Sequence, residues 1–248
     1  AHGDPRSPTG QAQNPMSNAA RQAAAAEFRQ QMRRSNELHD SYLGAPGQAE
    51  QYDRFTEWQM AYLLTFFVDL LEKPGYGEAI DFTISDLAGA SISHRDRDLE
   101  RASHVFTRML PTRALETLAA AAKLNAHVLQ VNLGVFRHLQ TAGELPADIS
   151  ERSYCEAFRE TSTLDECIDM VKLATRLGGT LKTLIRVPLL GAMLRGMRMP
   201  AHAAGYGALH EFLEKGYANF KAIPDIKLFL AEIDLRMTEV FEIIFTEP

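Results

Sequence analysis

The sequence predicts an all-α fold, a single-domain bundle of about nine helices. Three observations carry that reading. After Met16, apolar residues recur with helical spacing along almost the whole chain. Sustained two-residue alternation and the Asn-Gly or Asp-Gly turns of β-hairpins are absent. Gly and Pro punctuate the pattern, and the joints between helices run to only about two to eight residues, as between neighbours in one bundle. No repeat of fixed period is visible, so a solenoid is not expected.

The elements follow in order. Ser17 or Asn18 can cap a helix reaching about Tyr42, and Gly44-Ala45-Pro46-Gly47 breaks it. A second helix is expected from about Glu50 to Glu72. Its Phe55, Trp58, Met60, Tyr62, Leu63, Phe66, Phe67, Leu70 and Leu71 cover most of its circumference, which predicts deep burial, Trp58 included. Lys73-Pro74-Gly75 ends it, and a short helix runs to about Leu87. Ser93 caps a helix with Asp96, Asp98 and Glu100 in its first turns, where acids suit the helix dipole. Pro111 stops that helix. Thr112 opens a long one to about Leu139, and a loop spans Gly143 to Asp148. Ser150 opens a helix through Arg159, and Thr163 another to about Ile185. Pro188 suits the first turn of a helix ending near Met197. Pro200 is expected to start the next, to Lys221, and Pro224-Asp225 the last, to Phe245.

The chain has 248 residues, 46% hydrophobic and 23% charged, which is a globular composition. Its net charge of −6 argues against nucleic-acid binding, which needs a broad basic footprint. The longest apolar run, Met60 to Leu71, is interrupted by Thr65 and Asp69 and is shorter than the ~20 residues that span a bilayer. No basic-then-apolar secretion signal is visible, so the expected location is cytoplasmic. Residues 1–16 read as a disordered leader or a remnant of cloning, and residues 17–248 as the helical domain. Cys155 and Cys167 fit no metal-ligand spacing and are expected to be free, partly buried thiols.

Three segments resemble a known family: WQMAYLLTFFVDLL (58–71), HRDRDLERASHVFTRMLP (94–111) and MRMPAHAAGYGALHEFLEKGYANF (197–220). Together with FTISDLAG at 82–89 they are similar to the FFLEELY-motif proteins of bacteria, over about Trp58 to Phe245. In the naming motif Phe82, Leu87 and Gly89 agree, whereas Thr83, Ser85 and Ala88 depart, so the chain resembles a divergent member. The resemblance implies an all-helical bacterial protein. It implies no catalytic residue, because the family has no established activity.

The strongest pointer to a site is the stretch from Met170 to His210, 41 residues without an Asp or Glu in an acidic chain. It carries Lys172, Arg176, Lys182, Arg186, Arg195 and Arg198 among Leu, Ile and Val, with four of the nine methionines: Met170, Met193, Met197 and Met199. Cations beside apolar side chains can bind an acidic amphiphile, Arg on its head and apolar groups around its tail, or can lie on an anionic membrane. The bland alternative is a core helix whose Arg and Lys stems reach solvent. Gly178, Gly179, Gly191 and Gly196 need a reason inside helices, either close packing or room for a ligand.

His202, Tyr206, His210 and Glu214 recur every fourth residue, a stripe on one helix face. It can ligate a metal or sense pH, or simply face solvent. Glu100 and His104 have the same spacing, but Glu-x-x-His and His-Glu-x-x-His are both absent from the sequence. Arg95, Asp96, Arg97, Asp98, Glu100 and Arg101 read as capping and ion pairs. Nucleophile, phosphate-loop and dinucleotide motifs are absent, and Gly89-Ala90-Ser91 has no identifiable base beside it.

The leading expectation is therefore a non-catalytic binding protein with no cofactor and no bound metal. An apolar pocket between helices would have a basic mouth of Lys182, Arg186, Arg195 and Arg198. Met193, Met197, His202, Tyr206 and His210 would contact a fatty-acyl or similar anionic ligand, or a membrane surface. A protein-protein interaction or self-association module, with a homodimer as one form of it, is the second reading. A metal-dependent helical enzyme using His104, His202 or His210 is the third. Removing residues 1–15 is expected to leave the thermal midpoint unchanged, since polar and Gly/Pro residues without apolar periodicity cannot offset the entropy of ordering. Differential scanning calorimetry of the chain begun at Met16 checks this.

Overall fold

The computed structural model describes residues 15–86, 97–103, 112–144, 149–186 and 188–246. In chain order the helices are α1 (Pro15–Leu43), α2 (Gln48–Thr65), α3 (Val68–Leu71), α4 (Tyr76–Asp81) with a π-helical turn (Phe82–Asp86), α5 (97–103), α6 (Thr112–Thr141), α7 (Glu151–Thr161), α8 (Leu164–Leu184), α9 (Leu190–Ala203), α10 (Gly207–Ala222) and α11 (Ile226–Thr246). No strand occurs among the described residues. The leader through Asn14, Leu87, the Gly89–Ser91 segment, Ser93, Arg95, Asp96, His104 and Pro111 lie outside them, as do residues 145–148 of the expected loop.

Local chemistry sets several helix starts. Ser150 accepts from the Ser153 amide while the Ser153 hydroxyl accepts from the Ser150 amide, a reciprocal cap on α7. Thr163 and Glu166 do the same for α8. The Asp225 carboxylate accepts from the amides of Lys227 and Leu228 at 2.9 and 3.1 Å and starts α11.

Two expected helices have different bounds. The helix read as 50–72 is divided at Phe66 and Phe67, whose amides bond to Leu63 and Leu64 carbonyls, three residues back rather than four. The tighter turn redirects the chain so that Phe67 and Leu70 enter a second core. Pro200 does not begin a helix. It lies inside α9, which runs to Ala203, and the break comes instead at Gly205, whose φ of 77° ends the helix. A proline three residues from a helix end removes one bond there rather than interrupting a long ladder.

α6 is the centre of the packing. Alongside α1 it runs in the same direction: Phe28 and Met32 cluster with Ala119 and Ala122, Asn125 faces Ser35, and Arg137 lies over the Tyr42 ring. α2, α7, α8 and α11 close over its remaining apolar positions, with Phe55, Leu133, Phe136, Tyr154, Phe158, Val171 and Phe241 in one core. The second core joins α3, α4, α10 and α11, and Phe66 and Met237 touch both cores, so the two are continuous. Gly75 makes one closure between elements: a side chain there would meet the Ala222 carbonyl at 2.5 Å.

Trp58 is half-buried rather than buried. The inward row of α2 is Tyr52, Phe55, Thr56, Gln59 and Tyr62, so Trp58 sits on its flank, stacked on Tyr62 at 5.4 Å between ring centres. Gln59 takes the central place because its amide donates to Asn132 Oδ1 at 3.2 Å and to the Tyr154 hydroxyl at 2.9 Å. A polar side chain can be buried when its partners are buried with it.

Cys155 and Cys167 are unbridged and both buried, Cys167 completely. Burial pushes the Cys167 thiol up to about 11 from an ordinary 9.0, against the opposing hydrogen bond from Ser162. The folded state thus holds this proton more tightly than the unfolded chain. The stabilisation is complete below pH 9.0 and is lost as pH rises towards about 11. Relative to Cys167→Ala, the wild type is expected to lose about 1 kcal/mol of stability between pH 8 and pH 10, measured by urea unfolding.

Candidate binding surface

The acid-free stretch spans most of α8, all of α9 and the start of α10, and the structure divides its charges among three places. The first is the seam between α9 and α10. Gly191 lets the two helices approach: a Cβ there would lie 2.7 Å from the Tyr217 ring. Arg198 Nε and Nη2 donate to Glu214 Oε2 at 3.0 and 2.6 Å. Beside them His210, 5% exposed, has Nε2 2.7 Å from the Leu194 carbonyl. With the proton on Nε2 this bond ties α10 to α9, and Nδ1 is left 3.7 Å from Glu214 Oε2.

The four-spaced stripe is therefore not one helix face. Gly205 interrupts it, so His202 ends α9 while His210 lies in α10, and the chain folds back to bring their ring centres within 6.3 Å. His202 Nε2 is 3.4 Å from Glu211 Oε1. Tyr206 begins α10 under the Arg101 guanidinium, 5.6 Å from its ring centre, and Arg101 also donates to the Gly205 carbonyl at 2.8 Å. Arg101 is paired with Asp98, and Arg97 with Asp40 at 3.1 Å, so the described part of that charge run braces neighbouring elements. Among the described residues no three His, Cys, Asp or Glu side chains converge as a metal site requires.

The second place is the outward face of α9. Ala192, Met193, Gly196, Met197, Met199, Pro200 and Ala203 are all exposed, and Arg195 is the cation among them. Met193 is 63% exposed and Met199 79%. Before them Leu189, 77% exposed, holds a left-handed φ of 65°, an unfavourable conformation for leucine. Arg186 is exposed in the same joint. Gly196 has open space around its Cβ position, as Gly179 does, whereas Gly178 packs against Leu230. Close packing thus explains Gly178 and Gly191, and the other two glycines lie open.

Lys182 belongs to a third place, an open groove of about 680 Å³ between α8 and α11, lined by Lys172, Thr175, Arg176, Gly179, Lys227 and Leu230 among others. Thr175 donates to Asp234 at 3.0 Å, and that carboxylate keeps its negative charge among the cations lining the groove. Lys172, Arg176, Gly179 and Lys182 share one face of α8 by their spacing, a signal readable in the sequence. Lys227 comes from α11 and carried no such signal. The expected mouth of Lys182, Arg186, Arg195 and Arg198 is thus spread over the groove, the outward face with its leading joint, and the seam.

Glu214→Gln is expected to loosen the seam selectively. Because Arg198 is largely exposed, the loss is about 1 kcal/mol or less. It should appear as faster amide hydrogen exchange in α9 with α6 unchanged, read by mass spectrometry.

No helix among the described residues is long and apolar enough to cross a membrane. No curated protein and no solved structure matches the chain. The family described as "Domain of unknown function (DUF8198)" matches residues 39–248, from the last turns of α1 to the final residue. The chain, with its α9–α10 seam and the face above it, belongs to that family.

Proposed function

We propose that the protein is a non-catalytic binding protein of the cytoplasm that docks on an anionic lipid surface through the outward face of α9. The observation that carries this reading is that face itself: exposed methionines, alanines, glycine and proline, flanked by Arg195 and Arg186, with no carboxylate in the segment. Contiguous exposed apolar surface on a soluble fold marks an interaction site. Methionine is flexible enough to fill an irregular acyl boundary. Cations beside such a helix gain roughly 1 kcal/mol each near an anionic leaflet. Leu189 fits the same role, an exposed apolar side chain kept in a strained backbone conformation where the face begins.

The geometry favours a surface over an enclosed fatty-acyl pocket, because these apolar side chains point outward and Arg198 is already bound to Glu214. We also read the chain as a divergent bacterial FFLEELY-motif protein. In support, Phe82 of that motif is a core residue stacked on Phe212 of the 197–220 segment, a structural role that a family motif can serve.

The test is co-sedimentation with vesicles of phosphatidylserine and phosphatidylcholine, against pure phosphatidylcholine and against free oleate. Wild type is expected to bind the anionic vesicles and to release in high salt. Arg186→Gln with Arg195→Gln should weaken binding at least about tenfold at unchanged thermal midpoint. Met193→Glu with Met197→Glu should abolish it. Wild-type protein that binds neither anionic vesicles nor oleate overturns the reading.

A further inference from the structure

Asp225 caps the start of α11, but within the helix itself some charges lie against the dipole. It has no acid in its first turn and no base in its last. Lys227 lies instead near the positive end, and Glu239 and Glu242 lie towards the negative end. Glu239 is offset by its pair with Arg236 at 3.4 Å, whereas Lys227 and Glu242 have no such pair within the helix.

Most of the surface of α11 is used. Phe229, Val240, Phe241 and Ile244 are buried in the cores. Glu232 is bound by Lys73 at 2.7 Å, Arg236 by Asp69 at 2.8 and 3.0 Å, and Asp234 by Thr175. What remains is one exposed row: Leu228, Ala231, Leu235, Glu239 (already paired with Arg236 at 3.4 Å) and Glu242. Their spacing of three and four keeps them in line along the helix. Leu228 is 52% exposed and Leu235 61%. Along the α8 side of this row runs the open groove, with Ala231 in both and Lys172, Arg176, Lys182 and Lys227 lining it. None of these four cations is ion-paired among the described residues, and neither is Glu242.

The row is self-complementary. Leu228 and Glu242 lie at equal intervals on either side of Leu235, two helical turns or about 10 Å each way. We propose that two copies of the chain pair through α11, antiparallel, about a twofold axis at Leu235. The axis sets Leu235 against Leu235 of the second copy and brings the Lys227–Leu228 end of one helix to Glu242 of the other. Glu239 of the second copy falls opposite Ala231, a small residue beside the cationic groove. Every contact occurs twice, as an isologous interface requires. The antiparallel order opposes the two dipoles and brings Lys227 of each copy to Glu242 of the other. An anionic membrane does not fit this row, since Glu239 and Glu242 would face its headgroups. The inference is independent of the role proposed for α9.

Sedimentation equilibrium on the full chain tests it. Wild type is expected to be a dimer in the micromolar range, and Leu235→Glu a folded monomer by circular dichroism. Lys227→Glu and Glu242→Lys should each weaken association at least about tenfold, because like charges then meet twice. Mixing those two variants should form a heterodimer, since each cross pair is again of opposite sign. A wild type monomeric up to ~100 µM overturns the proposal. So does a dimer indifferent to Leu235→Glu, or a mixture of the two charge variants that fails to associate.

Discussion

The amide of Asn132 lies inside an aromatic core, and the surrounding helices are arranged so that its hydrogen bonds are met. It accepts from Gln59, whose amide also reaches the Tyr154 hydroxyl, and it is hydrogen-bonded to the hydroxyl of Tyr52. An unmet polar group at that depth costs ~1–3 kcal/mol. The network therefore sets the rotation of α2 and the depth of α7 against α6. Burial pushes the Tyr52 and Tyr154 phenols well above their ordinary value, so both remain neutral, and Tyr154 accepts from Gln59. Once α2 is turned to place Gln59 inward, Trp58 falls on the flank and Phe66 and Phe67 have to turn the chain towards the second core.

The same accounting of partners sorts the cations of the acid-free stretch. Arg198 lies where Glu214 can reach it, so its charge is spent on joining α9 to α10. Arg195, three residues earlier, is exposed and has no such partner. Lys182 lines a groove that it shares with the carboxylate Asp234 of α11, with no ion pair between the two. Which charges remain for a ligand is decided by neighbours from other elements, some from outside the stretch altogether.

Two surfaces of opposite design result. α9 offers methionine and arginine without any carboxylate, chemistry for an anionic and apolar partner. α11 offers leucine at the centre of a row with a cation near one end and carboxylates near the other, chemistry that recognises its own reverse. A single protein can use both, because a dimer through α11 duplicates α9 and so raises the effective concentration of the second binding event.

Much of the secondary structure was legible because its signals are local. The caps at Ser150, Thr163 and Asp225 act within three residues, and the breaks at Gly44–Gly47 and Lys73–Gly75 follow from backbone preference alone. Helical periodicity was enough for the all-α class, and the acid-free stretch marked the segment where α9 stands out from the core. Pro200 misled because a proline also fits near the end of a helix, and Gly205, not Pro200, carries the positive φ that stops it. The stripe from His202 to Glu214 misled for the same reason, since periodicity assumes a continuous axis. The sequence by itself determined the helices and the charge of each segment. Only the tertiary structure decided which charges are spent and which are free, because pairing depends on distances between elements far apart in the chain.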